Sequence, residues 1–184
     1  MAQSEHSAKF ASLHVELIQG DITRQRTDAI VNAANSALAS GGGVDGAIHR
    51  AAGPAILQET RTRFPEGCPT GSAVATSAGN LTGVRHIFHA VGPIWRGGQQ
   101  GEDALLQSAI ARCLELAEEH DCMSIAFPAL STGVYNVPVA RAARLMLATI
   151  TDAAPQVRSL QLVRMVLFDE TTLMEFSQQL TNRS

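Results

Sequence analysis

Ala29-Ile30-Val31-Asn32-Ala33-Ala34-Asn35 decides how this chain is read. Its first three residues are wholly apolar, which predicts a short buried central strand and not a half-exposed one. The run stops on two asparagines, which then sit at the strand's carboxyl end, where loops and helix N-termini of open α/β sheets converge on ligands. Shortly after comes Gly41-Gly42-Gly43-Val44-Asp45-Gly46-Ala47-Ile48-His49. Three successive glycines sacrifice much backbone entropy on folding, so they suit places needing positive φ or close approach of backbone to a ligand. If the chain is helical from Val44 onward, Asp45 and His49 share one face, a turn apart, beside N–H groups able to hold an anion or a sugar hydroxyl. The same residues also suit a flexible linker before a helix whose first turn carries an acid.

Working outward, Leu13, Val15 and Leu17 alternate with polar residues and predict a strand ending at Gly20-Asp21. Helices are predicted over residues 45–52 and, after a break at Gly53-Pro54, on to residue 63. Strands follow over 73–77 and 84–91, with a turn at Gly79-Asn80 between them and Gly92-Pro93 at the end. Ala104, Leu105, Ala109, Cys113, Leu116 and Ala117 recur at helical spacing and predict a helix over 102–119. A strand at 124–127, a helix from Pro138 to about 151, a strand at 160–168 and a helix over 170–180 complete the chain. Interleaved strands and helices predict a three-layer α/β/α domain over residues 12–181, preceded by a disordered polar tail at 1–11.

With 184 residues, 45% of them hydrophobic and 17% charged, the chain fits one domain that buries about two thirds of its unfolded surface. A net charge of −3 offers no bulk attraction to nucleic acid or an anionic membrane, so phosphate binding has to be local. Cys68, Cys113 and Cys122 are odd in number and lack paired spacing, which supports neither a disulfide framework nor a metal site and makes a reducing cytoplasm the default. No run approaches the roughly 20 apolar residues of a membrane helix.

Three loops after strand ends face outward as ligand candidates: Gly20-Asp21-Ile22, residues 32–44, and Leu130-Ser131-Thr132-Gly133-Val134-Tyr135-Asn136. The third joins small residues, hydroxyls and a glycine just ahead of a helix, the arrangement in which backbone N–H groups cradle phosphates. It lacks the GxxxxGK[ST] pattern and its lysine, which disfavours nucleoside triphosphate hydrolysis, and no GxGxxG follows a strand.

Gly20-Asp21-Ile22-Thr23, residues 28–35, residues 41–53, and Phe127-Pro128-Ala129-Leu130-Ser131-Thr132-Gly133-Val134-Tyr135, in this order, closely resemble the macrodomain family, in its MacroD-type branch of ADP-ribose hydrolases and O-acetyl-ADP-ribose deacetylases. Cys68-Pro69-Thr70-Gly71 and His89-Ala90-Val91-Gly92-Pro93 also look like that branch. The resemblance spans residues 12–180 and implies a central mixed, mostly parallel sheet. It further implies a hydrolase, using no cofactor and no metal, that cleaves ester-linked groups at the distal ribose of ADP-ribose, from acidic side chains of ADP-ribosylated proteins or from O-acetyl-ADP-ribose. The alternative is a non-catalytic ADP-ribose reader; a nucleic-acid module is disfavoured by the charge and the lack of an aromatic-basic stripe.

Residue by residue, the resemblance implies that Asp21 accepts the adenine amine beside the Ile22 backbone, and that Phe168 covers the adenine face, although a core phenylalanine would look the same. Ser131, Thr132, Gly133, Val134 and Tyr135 would wrap the pyrophosphate through backbone donors. Asn35 would orient the distal ribose, Asn32 would brace its loop, and Gly42, Gly43 and Val44 would approach that ribose through the backbone. Asp45 is the implied catalytic carboxylate and His49 its partner. Asp45 either acts as general base on a water attacking the anomeric carbon or the acyl carbonyl, or holds the ribose while a phosphate-bound water attacks with substrate assistance. His14, His86, His89 and His120 are read as structural, and Trp95 as either a pocket cover or a packing residue. One departure concerns Asn136-Val137-Pro138, where the branch usually carries turn glycines and a further aromatic. Asparagine tolerates left-handed geometry, so the loop is expected to keep its shape, with weaker activity.

Overall fold

The apolar run at residue 30 occupies an inner position of a seven-stranded sheet, and its two-sided burial explains its composition. In a computed structural model, which describes residues 6–183, the strands are β1 (Ser7–Phe10), β2 (Leu13–Gln19), β3 (Ala29–Ala33), β4 (Ser72–Ser77), β5 (His86–Val91), β6 (Ser124–Phe127) and β7 (Leu162–Leu167). Their spatial order is β1-β2-β7-β6-β3-β5-β4. The inner pairings β2 with β7, β7 with β6, β6 with β3 and β3 with β5 are parallel, and β1 and β4 close the two edges antiparallel.

Side chains alternate across the sheet, and each face has its own helical layer. Ile30, Ile87, Ala126 and Val166 meet Ile48 of α1 (Gly43–Ala52) and Ile56 of α2 (Pro54–Arg63). Val31, Phe88, Phe127, Val163 and Met165 point the other way, toward Ile110 of α3 (Glu102–Glu119), Met146 of α4 (Val139–Ala153) and Phe176 of α5 (Glu170–Thr181). This is the expected three-layer α/β/α arrangement, with a mixed and mostly parallel sheet. Every residue of β3 from Ala29 to Asn32 is buried, as a strand covered on both faces must be.

The polar N-terminus departs from the expectation of a tail. Residues 1–5 lie outside the described residues, but Ser7–Phe10 pairs antiparallel with β2, Ser7 opposite Glu16 and Phe10 opposite Leu13. Ala8 and Phe10 pack against the main core and give this short edge strand its anchor. Cys68, Cys113 and Cys122 are free and buried, and burial raises all three thiol pKa values, Cys122 to about 11. No described helix is long and apolar enough to cross a membrane.

Candidate functional site

Because β2, β7, β6, β3 and β5 are parallel, their carboxyl ends line one edge of the sheet in a fixed order. Asp21 follows β2, Phe168 follows β7, the loop at 131–136 follows β6, Asn32 to Asp45 follow β3, and Gly92 follows β5. From β2 to β3 is three strand spacings, about 14 Å at ~4.8 Å each, the span of an extended two-part ligand and not of a single sugar.

Asp45 is the centre of the β3 end. It sits in the first turn of α1 and is 5% exposed. Its Oδ1 accepts from Asn32 Nδ2 at 2.6 Å and lies 3.4 Å from His49 Nε2, and its Oδ2 accepts from the Gly41 N–H. A carboxylate has about four acceptor directions, so the hydrogen bonds from Asn32 and Gly41 engage two of them and others are left for further donors. The i to i+4 spacing of Asp45 and His49 thus does bring them together. Asn32, expected to brace its loop, is fully buried and in direct contact with the carboxylate. Asn35 is half-buried, and its amide is bonded to the Ala39 backbone, Nδ2 to the carbonyl at 2.6 Å and Oδ1 from the N–H at 3.1 Å. The three glycines differ: Gly43 has φ +58°, a Cβ at Gly41 would fall 3.2 Å from Asp45 Oδ2, but a Cβ at Gly42 would meet nothing within 4 Å. Gly42 also has φ −99°, so neither backbone geometry nor crowding within the protein requires glycine there. Val44, beside it, packs its side chain against the α1 side of the core.

The loop after β6 is braced from within. Val137 N–H donates to Ser131 O at 3.0 Å, Asn136 N–H to Gly133 O at 2.9 Å, and Thr132 Oγ1 to Ala129 O at 2.8 Å. Ser131 (φ +64°) and Asn136 (φ +57°) both take left-handed backbone, and Asn136 Nδ2 donates to Val134 O at 3.1 Å. Asparagine therefore holds the turn that glycine usually forms. Among the described residues, the N–H groups of Ser131, Gly133, Val134 and Tyr135 have no protein partner, so this loop presents a row of free donors. Ser131 Oγ is buried without a partner, against Gly92, where a Cβ would come within 2.0 Å of it. Trp95 proves to be a packing residue. Its ring lies 4.9 Å from the Arg141 guanidinium, and its backbone N–H donates to Tyr135 O at 2.8 Å, tying the 95–101 segment to this loop. That segment is clamped by Glu102, whose buried carboxylate accepts from the N–H groups of Arg96, Gly98 and Gln100. Burial alone would raise this carboxyl, but the backbone donors outweigh it and hold the pKa at about 2.

At the β2 end, Asp21 caps the 3-10 turn Ile22–Arg24. Its Oδ1 accepts from Thr23 Oγ1 at 2.7 Å and Thr23 N–H at 2.8 Å, leaving Oδ2, among the described residues, with only Arg24 Nε at 3.8 Å. The Thr23 hydroxyl, with the Thr23 N–H and Arg24, holds the carboxyl below its usual range, so Oδ2 is an ionised acceptor. Ile22 is a core residue and keeps the turn seated. Phe168 is 85% exposed, which removes the reading of it as core. Phe168 follows β7 and Asp21 follows the neighbouring β2, so an exposed phenylalanine and a carboxylate stand at adjacent strand ends, a combination able to take a flat ring bearing an amine.

Sequence reasoning missed His89 and Thr76. His89 Nδ1 is 3.1 Å from Asn32 Nδ2, and its Nε2 is 2.9 Å from Thr76 Oγ1. Burial, with His49 nearby, pushes the His89 pKa down to about 4, so the ring is neutral. The only available signal was register: His89 lies opposite Asn32 once β3 and β5 are paired. Among the described residues, no group of three or more His, Cys, Asp or Glu is arranged to hold a metal ion.

The Macro domain family model matches residues 31–146. The chain is 52% identical over 158 residues to a macro domain-containing protein of Caldanaerobacter subterraneus subsp. tengcongensis, covering 85% of this chain and 89% of that one. It is 48% identical over 171 residues to the O-acetyl-ADP-ribose deacetylase of Salmonella typhimurium, covering 92% of this chain and 95% of that protein. Among solved structures, the Oceanobacillus iheyensis macrodomain with ADP superposes with a TM-score of 0.90 at 40% identity, over 96% of this chain and 95% of the other. The Trypanosoma brucei macrodomain in complex with ADP-ribose follows with a TM-score of 0.83 at 34% identity, over 90% and 68%.

Proposed function

This chain belongs to the Macro domain family, and on that premise we propose that it is a hydrolase acting on esters at the distal ribose of ADP-ribose. Its substrates are O-acetyl-ADP-ribose and proteins carrying a single ADP-ribose on an acidic side chain. Adenine lies on Phe168 with its amine on Asp21 Oδ2, the pyrophosphate takes the free N–H groups of Ser131, Gly133, Val134 and Tyr135, the Thr132 N–H being bonded to Ala129 O, and the distal ribose reaches Gly42 and Asp45. Asn35 bonds that ribose with the amide hydrogen and lone pair that Ala39 leaves over. The order of strand ends supports this polarity, since it places the aromatic, the donor loop and the carboxylate in a row.

Water adds to the acyl carbon, the bond from that carbon to the ribose oxygen breaks, and the ribose oxygen takes up a proton. The products are ADP-ribose and acetate or the freed protein carboxylate. Asp45, fixed by the Asn32 and Gly41 donors, uses a remaining acceptor direction for the ribose hydroxyl or the attacking water. Gly42 lets the ribose approach, which accounts for a glycine that the protein's own packing does not require. The observation that carries the enzyme reading is the buried Asp45 carboxylate beside that open glycine. A reader would need Asp21, Phe168 and the donor loop but not this arrangement.

The test compares wild type with Asp45→Ala, following acetate release from O-acetyl-ADP-ribose, label release from glutamate-linked mono-ADP-ribosylated protein, and ADP-ribose affinity by calorimetry. The expected result is turnover by wild type, at least ~100-fold slower turnover by the variant, and affinities within a factor of about ten. A wild type that binds ADP-ribose and turns over neither substrate is a reader.

A further inference from the structure

His89 stands outside the proposed ligand contacts, yet it is joined to Asp45 by a continuous hydrogen-bonded chain across three strands. The ring is buried in β5, with Asn32 of β3 at one nitrogen and Thr76 of β4 at the other. What each atom can donate fixes the direction of every bond. Both Asp45 oxygens accept, Oδ2 from the Gly41 N–H, so the Asn32 atom facing Oδ1 at 2.6 Å is the amide nitrogen. That nitrogen turns its second hydrogen to His89 Nδ1, which must therefore be the bare, accepting nitrogen. The ring hydrogen is then on Nε2 and goes to Thr76 Oγ1, whose own hydrogen goes to Ser77 O at 3.0 Å.

Asn32 Oδ1 is left buried without a partner. An amide oxygen stranded in this way costs free energy, so the amide is oriented by its two donors at the expense of its acceptor. Were His89 unable to accept, Asp45 alone would oppose the flipped amide, which aims oxygen at carboxylate.

We infer that His89, held by Thr76 as the Nε2–H tautomer, is a positioning residue that takes one amide hydrogen of Asn32 and thereby fixes the other on Asp45. It acts on the rotation of the Asp45 carboxylate and not on ligand affinity, and its effect on turnover rests on the proposed role of Asp45.

The experiment uses His89→Leu, which fills the space without an acceptor, and His89→Asn, whose carboxamide oxygen falls near the place of Nδ1. Turnover of O-acetyl-ADP-ribose and calorimetric affinity for ADP-ribose are measured for both, with thermal melts to establish folding. His89→Leu lowers kcat by about 10- to 100-fold, the effect of a misplaced reacting group, with Kd changed less than about threefold. His89→Asn recovers at least ~5-fold of that loss. Equal loss in both variants, a wild-type kcat in His89→Leu, or a parallel loss of affinity overturns the inference. Two-dimensional 1H–15N spectra of the wild-type imidazoles give a readout free of activity and of any variant's folding. The Nε2–H pattern for His89 is expected, and the Nδ1–H pattern overturns the inference. Should wild type show no turnover, the proposed function fails, and the tautomer alone decides the positioning chain.

Discussion

Gly46 sits inside α1, one residue past Asp45, and ordinary helix energetics say that alanine there should stabilise the protein by up to about 1 kcal/mol. The site's geometry predicts the opposite. A Cβ at this position would lie 2.6 Å from Gly41 O and 3.1 Å from Arg50 Nη1. The arginine is long and gives way, but Gly41 O is backbone, about 0.7 Å inside the ~3.3 Å at which carbon and carbonyl oxygen normally touch. Relieving the clash means moving Gly41, whose N–H is bonded to Asp45 Oδ2. Overpacking of this kind costs roughly 1–3 kcal/mol, so after the helix gain the net destabilisation of Gly46→Ala is about 1 kcal/mol, or a melting temperature lower by about 3 °C for a chain of this size. The larger effect falls on turnover. A shift approaching 1 Å at the carboxylate lowers kcat/KM for O-acetyl-ADP-ribose by about 10- to 100-fold. Urea unfolding and acetate release measure the two quantities on the same preparation. A variant more stable than wild type by the full helix gain, with unchanged turnover, would refute the account of why residue 46 is glycine.

Phe168→Ala removes an exposed ring, so stability stays within about 0.5 kcal/mol while calorimetry shows ADP-ribose binding weakened by about 1–3 kcal/mol, the range for one base stacked on an aromatic; unchanged affinity would take Phe168 out of the adenine site. Asn136→Ala loses both the residue type that tolerates φ +57° and the bond to Val134 O, and lowers unfolding free energy by about 1–2 kcal/mol, whereas Asn136→Gly loses less than about 1 kcal/mol. Melts in which the two variants rank the other way would contradict the left-handed turn. Glu102 has a folded pKa depressed to about 2 from an ordinary 4.5, so its stabilising contribution is complete above about pH 4.5 and is lost as pH falls through about 2. Stability measured from pH 5 downward therefore falls less steeply in Glu102→Gln than in wild type, and identical slopes would count against the clamp.

The fold was legible because its signals are local. A wholly apolar strand, helical recurrence over 102–119 and glycine or proline at the breaks each need only a few neighbouring residues. The edge strand Ser7–Phe10 carries Ser7 and Lys9 on one side and a modest Ala8 and Phe10 on the other, and only its pairing with Glu16 and Leu13 makes it a strand. The same division runs through the site. Asp45 and His49 could be placed together from their spacing, because a helix turn converts sequence distance into contact. Asn32, His89 and Thr76 lie on three strands, and their meeting depends on two registers that no single stretch contains. Each of them alone reads as an ordinary strand residue. Phe168 could be placed at the end of the last strand, but whether its ring faces the core or the solvent is decided by the end of β7.

Trp95 and Tyr135 are the chain's single tryptophan and single tyrosine, and one backbone hydrogen bond joins them. The indole is held between the Arg141 guanidinium and the Gly98 turn, while its amide reports directly on the loop of free donors. The protein therefore carries its own optical probe. A ligand on residues 131–135 sits one backbone hydrogen bond from the only tryptophan, so its binding is expected to change the emission of the indole, in a titration that needs no label, substitution or turnover event.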